Sequence, residues 1–156
     1  MNGEVIKRKL TKKIRVGTIY IGGDAPITVQ SMTNTKTEDI KSTVEQILKL
    51  EECGCDIIRV AVTNIESAEA IKSIKKNIHI PIVADIQFDY RLAIESVKNG
   101  ADKIRINPGN IGDRQKLIEV VKALKYYGLP LRVGVNSGSL KKELLNKYGM
   151  PTAEAL

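Results

Sequence analysis

The chain alternates short runs rich in valine and isoleucine with helical patterns, and it does so five times from residue 27 onward. The runs are apolar at successive positions, which is typical of strands buried on both faces in a parallel sheet covered by helices. The alternation therefore predicts a parallel α/β fold in which helices connect neighbouring strands. The five predicted strands are Ile27–Met32, Asp56–Val62, Pro81–Ile86, Lys103–Asn107 and Leu131–Asn136.

The spacing of these strands favours a barrel. Their starts lie roughly 22–30 residues apart, close to the ~31 residues per unit of a (β/α)₈ TIM barrel. Before them, Lys13–Val16 and Thr18–Ile21 have the pattern of a β-hairpin that would cover the bottom of a barrel. Five units cannot close eight strands, so we expect a partial barrel, the N-terminal piece of a longer one. An autonomous, doubly wound domain of five strands is the alternative that stays open.

We divide the chain accordingly. Residues 1–26 form an N-terminal extension with the hairpin, and residues 27–156 form the first five β/α units, truncated before the barrel closes. An open sheet edge at that point would expose unpaired backbone groups and apolar surface, which is why a longer barrel is expected.

Composition limits the classes of partner. The 156 residues carry a net charge of +7 but include no Trp and one Phe, so little aromatic surface can stack on nucleic acid bases. No apolar run approaches the ~20 residues that span a bilayer. No apolar segment follows the basic N-terminus, as a signal peptide would require. We expect a cytoplasmic protein that binds neither nucleic acid nor membrane, with a basic surface suited to an anionic substrate or an acidic redox partner.

Two cysteines, Cys53 and Cys55, lie between a helical pattern and the second strand. Their C-x-C spacing is not that of a zinc or redox pair. Two thiolates are also too few for an iron–sulfur ligand set. We expect both cysteines to be small buried side chains, and we predict no metal site from the residues of this chain.

Three of the strands contain an arginine inside an apolar run: Arg59, Arg105 and Arg132. A buried cation is unfavourable unless a negative group meets it. Three of them in neighbouring strands predict that a strong anion, such as a phosphate-bearing ligand, belongs between them. For any single arginine, an internal salt bridge to Asp85 remains an alternative explanation.

Ligands of parallel β/α folds lie at the carboxyl ends of the strands. The two-residue period of a strand places Arg105 with Asn107 on one face, and Arg132, Gly134 and Asn136 on one face of the next strand. Capping of turns remains an alternative role for the two asparagines. No catalytic residue can be assigned from these patterns. The predicted ligand-binding residues are Arg59, Arg105, Arg132, Asn107, Asn136, Asp85 and Gln87.

Four motifs in order carry a resemblance to a known family: Val29-Gln30-Ser31-Met32-Thr33-Asn34-Thr35, Val83-Ala84-Asp85-Ile86, Arg105-Ile106-Asn107-Pro108-Gly109-Asn110-Ile111-Gly112 and Gly134-Val135-Asn136. From Arg15 onward the sequence closely resembles 4-hydroxy-3-methylbut-2-enyl diphosphate synthase, the reductive iron–sulfur enzyme of the non-mevalonate isoprenoid pathway. The resemblance implies an N-terminal (β/α)₈ barrel that binds 2-C-methyl-D-erythritol 2,4-cyclodiphosphate. It also implies that Arg59, Arg105 and Arg132 bind the diphosphate, beside Asn107 and Asn136.

The resemblance further implies a C-terminal domain with a [4Fe-4S] cluster on three cysteines and a glutamate, two electrons from flavodoxin or ferredoxin, and a homodimer. This chain lacks those cluster ligands, so we expect it to be inactive alone. Gln87 stands where the family usually has histidine, which puts proton transfer at that position in doubt. Two alternatives remain: a non-catalytic phosphate- or diphosphate-binding module with the same fold, and a barrel enzyme that handles pterins.

Overall fold

The computed structural model describes residues 9–140 and 142–156. The longest helix has 14 residues, and no helix in these ranges is long and apolar enough to cross a bilayer. The strands are β1 (Ile14–Val16), β2 (Ile19–Ile21), β3 (Gln30–Met32), β4 (Ile57–Val62), β5 (Ile82–Ile86), β6 (Lys103–Ile106) and β7 (Leu131–Val133). The helices are α1 (Ile40–Glu52), α2 (Ile65–Lys75), α3 (Tyr90–Lys98), α4 (Arg114–Tyr127) and α5 (Lys142–Tyr148), with a 3₁₀ turn at Ser137–Ser139.

Strands β3 to β7 form one parallel sheet in the order in which they occur along the chain. A doubly wound sheet reverses its strand order at a switch point, and this sheet has no such reversal. Helix α1 packs against α2, α2 against α3 and α3 against α4, which places the four helices together on one face of the sheet. The structure therefore confirms the partial barrel and argues against the doubly wound alternative.

The two faces of the sheet differ because side chains alternate along each strand. On the helix side, residues such as Ile58, Val60 and Ile104 are fully buried in one continuous apolar core. On the inner face, charged residues such as Arg59 and Arg105 share the alternate positions with apolar ones such as Val83. The apolar core holds the strands in place, and the charged side chains of the inner face lie outside it.

The hairpin of β1 and β2 lies against the amino ends of the strands. Gly17, at its tip, has a φ of +56°, and a Cβ there would lie 2.9 Å from Asp102 Oδ1 and 3.0 Å from Pro81 Cγ. Asp102 and Pro81 directly precede β6 and β5, so this contact is at the bottom of the barrel. Val16, next to the turn, is fully buried. The predicted hairpin is confirmed, and its position is the one expected.

The predicted ends of the outer strands are wrong. Ile27 is 78% exposed, and the first strand of the sheet begins only at Gln30. The last strand ends at Val133, although the Gly134 N–H still donates to the Ile106 carbonyl at 2.9 Å. Beyond Gly134 the backbone leaves the sheet and enters the 3₁₀ turn, whose N-cap residue is Asn136. The predicted strand Leu131–Asn136 therefore includes three residues of the connecting loop.

Candidate anion site at the carboxyl ends of the strands

Strand register brings the charged residues of the inner face together. Asp85 on β5 pairs with Arg105 on β6, which in turn pairs with Arg132 on β7. Arg59 on β4 lies one level lower, where it pairs with Val83. The three arginines therefore stand on neighbouring levels of one surface, as the period of the strands predicts.

Asp85 joins two of these arginines. Its carboxylate is 4% exposed; Oδ1 accepts a hydrogen bond from Arg105 Nη1 at 2.9 Å, and Oδ2 lies 3.5 Å from Arg59 Nε. Arg59 Nε also donates to the Met32 sulfur at 3.1 Å. The internal salt bridge that the sequence left open is therefore observed between Arg105 and Asp85, and the same carboxylate also lies near a second guanidinium group, that of Arg59.

The inner face carries more positive than negative charge. Arg132 is exposed, and no acidic group in the described ranges lies within 4.0 Å of it. Lys103 lies on the same face one level lower, at the amino end of β6; it is 8% exposed, and no acidic group in the described ranges pairs with it. Burial and the nearby charge of Arg132 lower the pKa of Lys103 below its ordinary value. The inner face of the described strands thus carries four cations and one carboxylate, an excess of positive charge that an anionic ligand would balance.

Arg105 also has an unused donor. Its Nε is buried, and no acceptor in the described part of the chain bonds to it. Buried donors in native structures almost always have partners, so an orphan donor of this kind calls for an explanation. Guanidinium N–H groups bind phosphate oxygens well because they are charged and arranged in a planar fork. In this structure Nε faces the Cα of Gly134, which offers no acceptor, so a phosphate ligand would meet the other N–H groups of Arg105.

The two predicted asparagines cap turns in this structure. Asn107 is buried, and its Oδ1 accepts from the Gly109 N–H at 3.0 Å. Asn136 Oδ1 accepts from the Ser139 hydroxyl at 2.8 Å. Both line a cleft of about 330 Å³ beside α5, and none of the three arginines lines it. The turn-capping role, left open by the sequence, is therefore observed, and ligand binding by these asparagines stays a prediction.

Two residues follow β5 at the rim of the site: Gln87, which the sequence predicted, and Phe88, which it did not. Gln87 is half-buried there, and its N–H continues the ladder to the Val62 carbonyl. Phe88 is 69% exposed and has a φ of +62°, a backbone conformation that is rare for residues other than glycine. Phe88, Arg91 and Lys116 line an open cleft of about 500 Å³. No motif signalled this strained position.

The cysteines do not fit an iron–sulfur cluster. Cys53 is exposed at the end of α1, so its predicted burial is wrong; as the C-cap residue it faces away from the core. Cys55 is buried, and its thiol donates to the Ile57 carbonyl at 3.1 Å. In residues 9–140 and 142–156, no group of three or more His, Cys, Asp or Glu side chains is placed to hold a metal ion.

The fold and the inner-face charges together define a β/α-barrel segment with a strongly basic mouth. The sequence profile described as the GcpE TIM-barrel domain matches residues 11–156, and the chain belongs to this family.

Relatives of the same family carry a functional name. A protein of Caldicellulosiruptor saccharolyticus named 4-hydroxy-3-methylbut-2-en-1-yl diphosphate synthase (flavodoxin) is 65% identical over 147 residues, which are 94% of this chain and 42% of that protein. A Clostridium perfringens protein of the same name is 59% identical over 151 residues, 97% of this chain and 43% of the relative. The chain thus spans less than half the length of these relatives, and it matches their barrel part.

Solved structures support the fold. Dihydropteroate synthase from Xanthomonas albilineans superposes with a TM-score of 0.57 at 15% identity, over 86% of this chain and 54% of that one. The 7,8-dihydropteroate synthase from Vibrio fischeri has a TM-score of 0.54 at 16% identity, over 90% and 76% of the two chains. At such low identity the likeness shows a shared barrel architecture, and it does not favour a pterin substrate.

Proposed function

We propose that this chain is the substrate-binding barrel portion of 4-hydroxy-3-methylbut-2-enyl diphosphate synthase in the non-mevalonate route to isoprenoids. The excess of cations around Asp85 is the observation that carries this proposal. Family membership and the names of the relatives support the identity of the anion as 2-C-methyl-D-erythritol 2,4-cyclodiphosphate.

The proposed reaction is a two-electron reduction of that cyclic diphosphate. The bond between the tertiary carbon and its phosphate oxygen breaks, and the diphosphate leaves that carbon as an oxyanion while it stays attached at its other end. The neighbouring hydroxyl takes up one proton and leaves as water, and a carbon–carbon double bond forms. The product carries one negative charge more than the substrate, so a site rich in arginine favours ring opening by stabilising the developing oxyanion.

The predicted site residues have different roles in binding the diphosphate. Asp85 holds the guanidinium groups of Arg59 and Arg105 in place before the substrate arrives, so less side-chain freedom is lost on binding. Arg132, exposed on β7, closes on the diphosphate from the side of Arg105. Gln87 donates a hydrogen bond to a phosphate oxygen but does not shuttle a proton, because an amide does not titrate near neutral pH. Asn107 and Asn136 shape the loops beside them.

The electrons come from outside this chain. We propose a [4Fe-4S] cluster held by residues that this chain does not contain, and flavodoxin as the donor, in keeping with the names of the relatives, or ferredoxin. We also propose a cytoplasmic homodimer in which the β/α units of residues 27–156 provide the substrate pocket and the hairpin of β1 and β2, within the N-terminal unit, covers the bottom of the barrel.

Calorimetric titration with pyrophosphate tests the anion site. We expect Arg105→Ala to weaken binding about 10- to 100-fold, because charge-assisted hydrogen bonds to a desolvated anion are lost. Arg15→Ala is the matched control: it removes the same charge from the exposed hairpin at the opposite end of the barrel. Equal affinities for the two variants would rule out the proposed site.

A second candidate is a phosphate- or diphosphate-binding module without redox chemistry. The observation that favours it is the excess of cations around Asp85, which calls for an anion but not for an electron donor. Incubating the chain with the cyclodiphosphate and reduced flavodoxin separates the two. We expect tight binding without product from the chain alone. Product formation only after a cluster-bearing partner polypeptide is added would support the synthase, and binding that never leads to product with such a partner would support the module.

A further inference from the structure

Gly134 follows β7 and continues the parallel ladder, because its N–H donates to the Ile106 carbonyl at 2.9 Å. Unlike Gly112 or Gly128, it does not have a φ in the left-handed region. Its backbone conformation is therefore open to any residue, and the usual conformational reason for a glycine does not apply. The reason must lie in the space around its Cα.

That space is filled by the guanidinium group of Arg105. A Cβ on Gly134 would lie 2.8 Å from Arg105 Nε, 2.9 Å from Nη2 and 3.3 Å from Cζ. These are closer than side-chain carbons normally approach. The added carbon would be nearly equidistant from the two nitrogens and farther from the carbon between them, so it would stand in front of the Nε–Nη2 edge. Only a bare Cα lets that edge approach the backbone of β7.

The other side of the guanidinium group is fixed as well. Arg105 Nη1 donates to Asp85 Oδ1 at 2.9 Å, so the group lies between Asp85 and the Cα of Gly134. A side chain at position 134 would push it away from β7, where Arg132 is the register partner of Arg105. Asp85 holds the guanidinium group on one side by a hydrogen bond, and the backbone at Gly134 bounds it on the other.

We propose that Gly134 is a positioning residue, whose missing side chain fixes the Arg105 guanidinium group in the place from which it binds the substrate diphosphate. This inference rests on the proposed function for its link to the ligand. The steric coupling between Gly134 and Arg105 is a separate statement that can be tested without any ligand.

Gly134→Ala and Gly138→Ala make a matched pair of variants. Gly138 lies in the loop that follows, does not have a left-handed φ, and has no atom within 4 Å of an added Cβ. Its substitution therefore measures the general effect of replacing glycine by alanine in this part of the chain. In calorimetric titration with pyrophosphate, we expect Gly134→Ala to bind about tenfold more weakly and Gly138→Ala to bind within twofold of the original chain. Equal affinities for the two variants would overturn the positioning role.

A double-mutant cycle by thermal unfolding tests the steric coupling. We expect Gly134→Ala to lower Tm by roughly 4 °C in the original chain and to leave it unchanged in the Arg105→Ala background, where the crowded atoms are absent. The same loss in both backgrounds would show that Gly134 does not position Arg105. If the original chain fails to bind pyrophosphate, the proposed function fails, and the unfolding cycle still decides whether the coupling exists.

Discussion

The two ends of the barrel treat charge in opposite ways. At the amino ends of the strands, buried acids are matched: Asp102 Oδ2 accepts from the Ile82 N–H at 2.8 Å and contacts the Lys75 ammonium group. Glu51 accepts from the N–H groups of His79 and Ile80. At the carboxyl ends, one carboxylate meets several cations, and the buried Nε of Arg105 bonds to no acceptor in the described ranges.

The difference separates stability from function. Matched groups at the bottom tie the segments before β5 and β6 to helices α1 and α2, and they need nothing from outside. The unmatched cations at the top are an unfavourable arrangement that persists only because the core over-determines it. In β/α barrels this division is general: the top face carries the ligand site, and the bottom face carries stability. Substitutions at Asp85, Asp102 and Lys103 test this contrast.

The largest effect is expected for Asp85→Asn. The change leaves two partly buried guanidinium groups without a neutralising charge, and we expect the free energy of unfolding to fall by about 3 kcal/mol. Pyrophosphate at saturation should restore more stability to the variant than it adds to the original chain, because the anion replaces the lost carboxylate. Urea unfolding without pyrophosphate measures the loss of stability, and unfolding with pyrophosphate measures how much of it the anion restores. An unfolding curve that matches that of the original chain would contradict the neutralising role of Asp85.

A smaller effect is expected for Asp102→Ala at the bottom. The buried N–H of Ile82 loses its acceptor, which should lower the free energy of unfolding by about 2 kcal/mol. Pyrophosphate affinity should stay within twofold, because this residue lies at the far end of the strands. Asp24→Ala, which removes an 83% exposed carboxylate, is the control and should change stability little. A large loss of affinity in Asp102→Ala would break the contrast between the two ends.

The smallest effect is expected for Lys103→Met, which we expect to stabilise the chain by about 1 kcal/mol at pH 7. The pKa of Lys103 is lowered in the folded state, first by burial and then by Arg132, from an ordinary value of 10.5. Between its folded and unfolded pKa values the unfolded chain binds more protons, so stability rises with pH in that window. The advantage of the variant should therefore shrink as the pH approaches 10.5. Urea unfolding from pH 7 to 10.5 measures it, and a constant gap would argue against a charged Lys103.

Alternating patterns made much of this molecule predictable. The five parallel strands and the hairpin follow from apolar runs and their spacing, because a strand buried on both faces needs apolar residues at successive positions. The meeting of Arg59, Asp85 and Arg105 also follows, since alternation places each on the inner face of its strand.

Other features depend on contacts between strands that no local pattern shows. Lys103 was overlooked because a single lysine at a strand start is ordinary, and its burial arises only from the surrounding strands. The approach of Arg105 to Gly134 requires the register of β6 against β7. Ile27 and Asn136 were wrongly placed in strands because the apolar pattern extends beyond the residues that pair in the sheet. The left-handed φ of Phe88 has no counterpart in composition.

The sequential order of the sheet has a consequence for how the chain assembles during synthesis. Each strand from β4 onward bonds to the strand made just before it, so a growing polypeptide always offers a finished edge to the segment that emerges next. Each new strand pair closes a loop that contains a single helix, so the entropy lost in closing each loop is small. We therefore expect β4, β5, β6 and β7 to join the sheet in the order of translation.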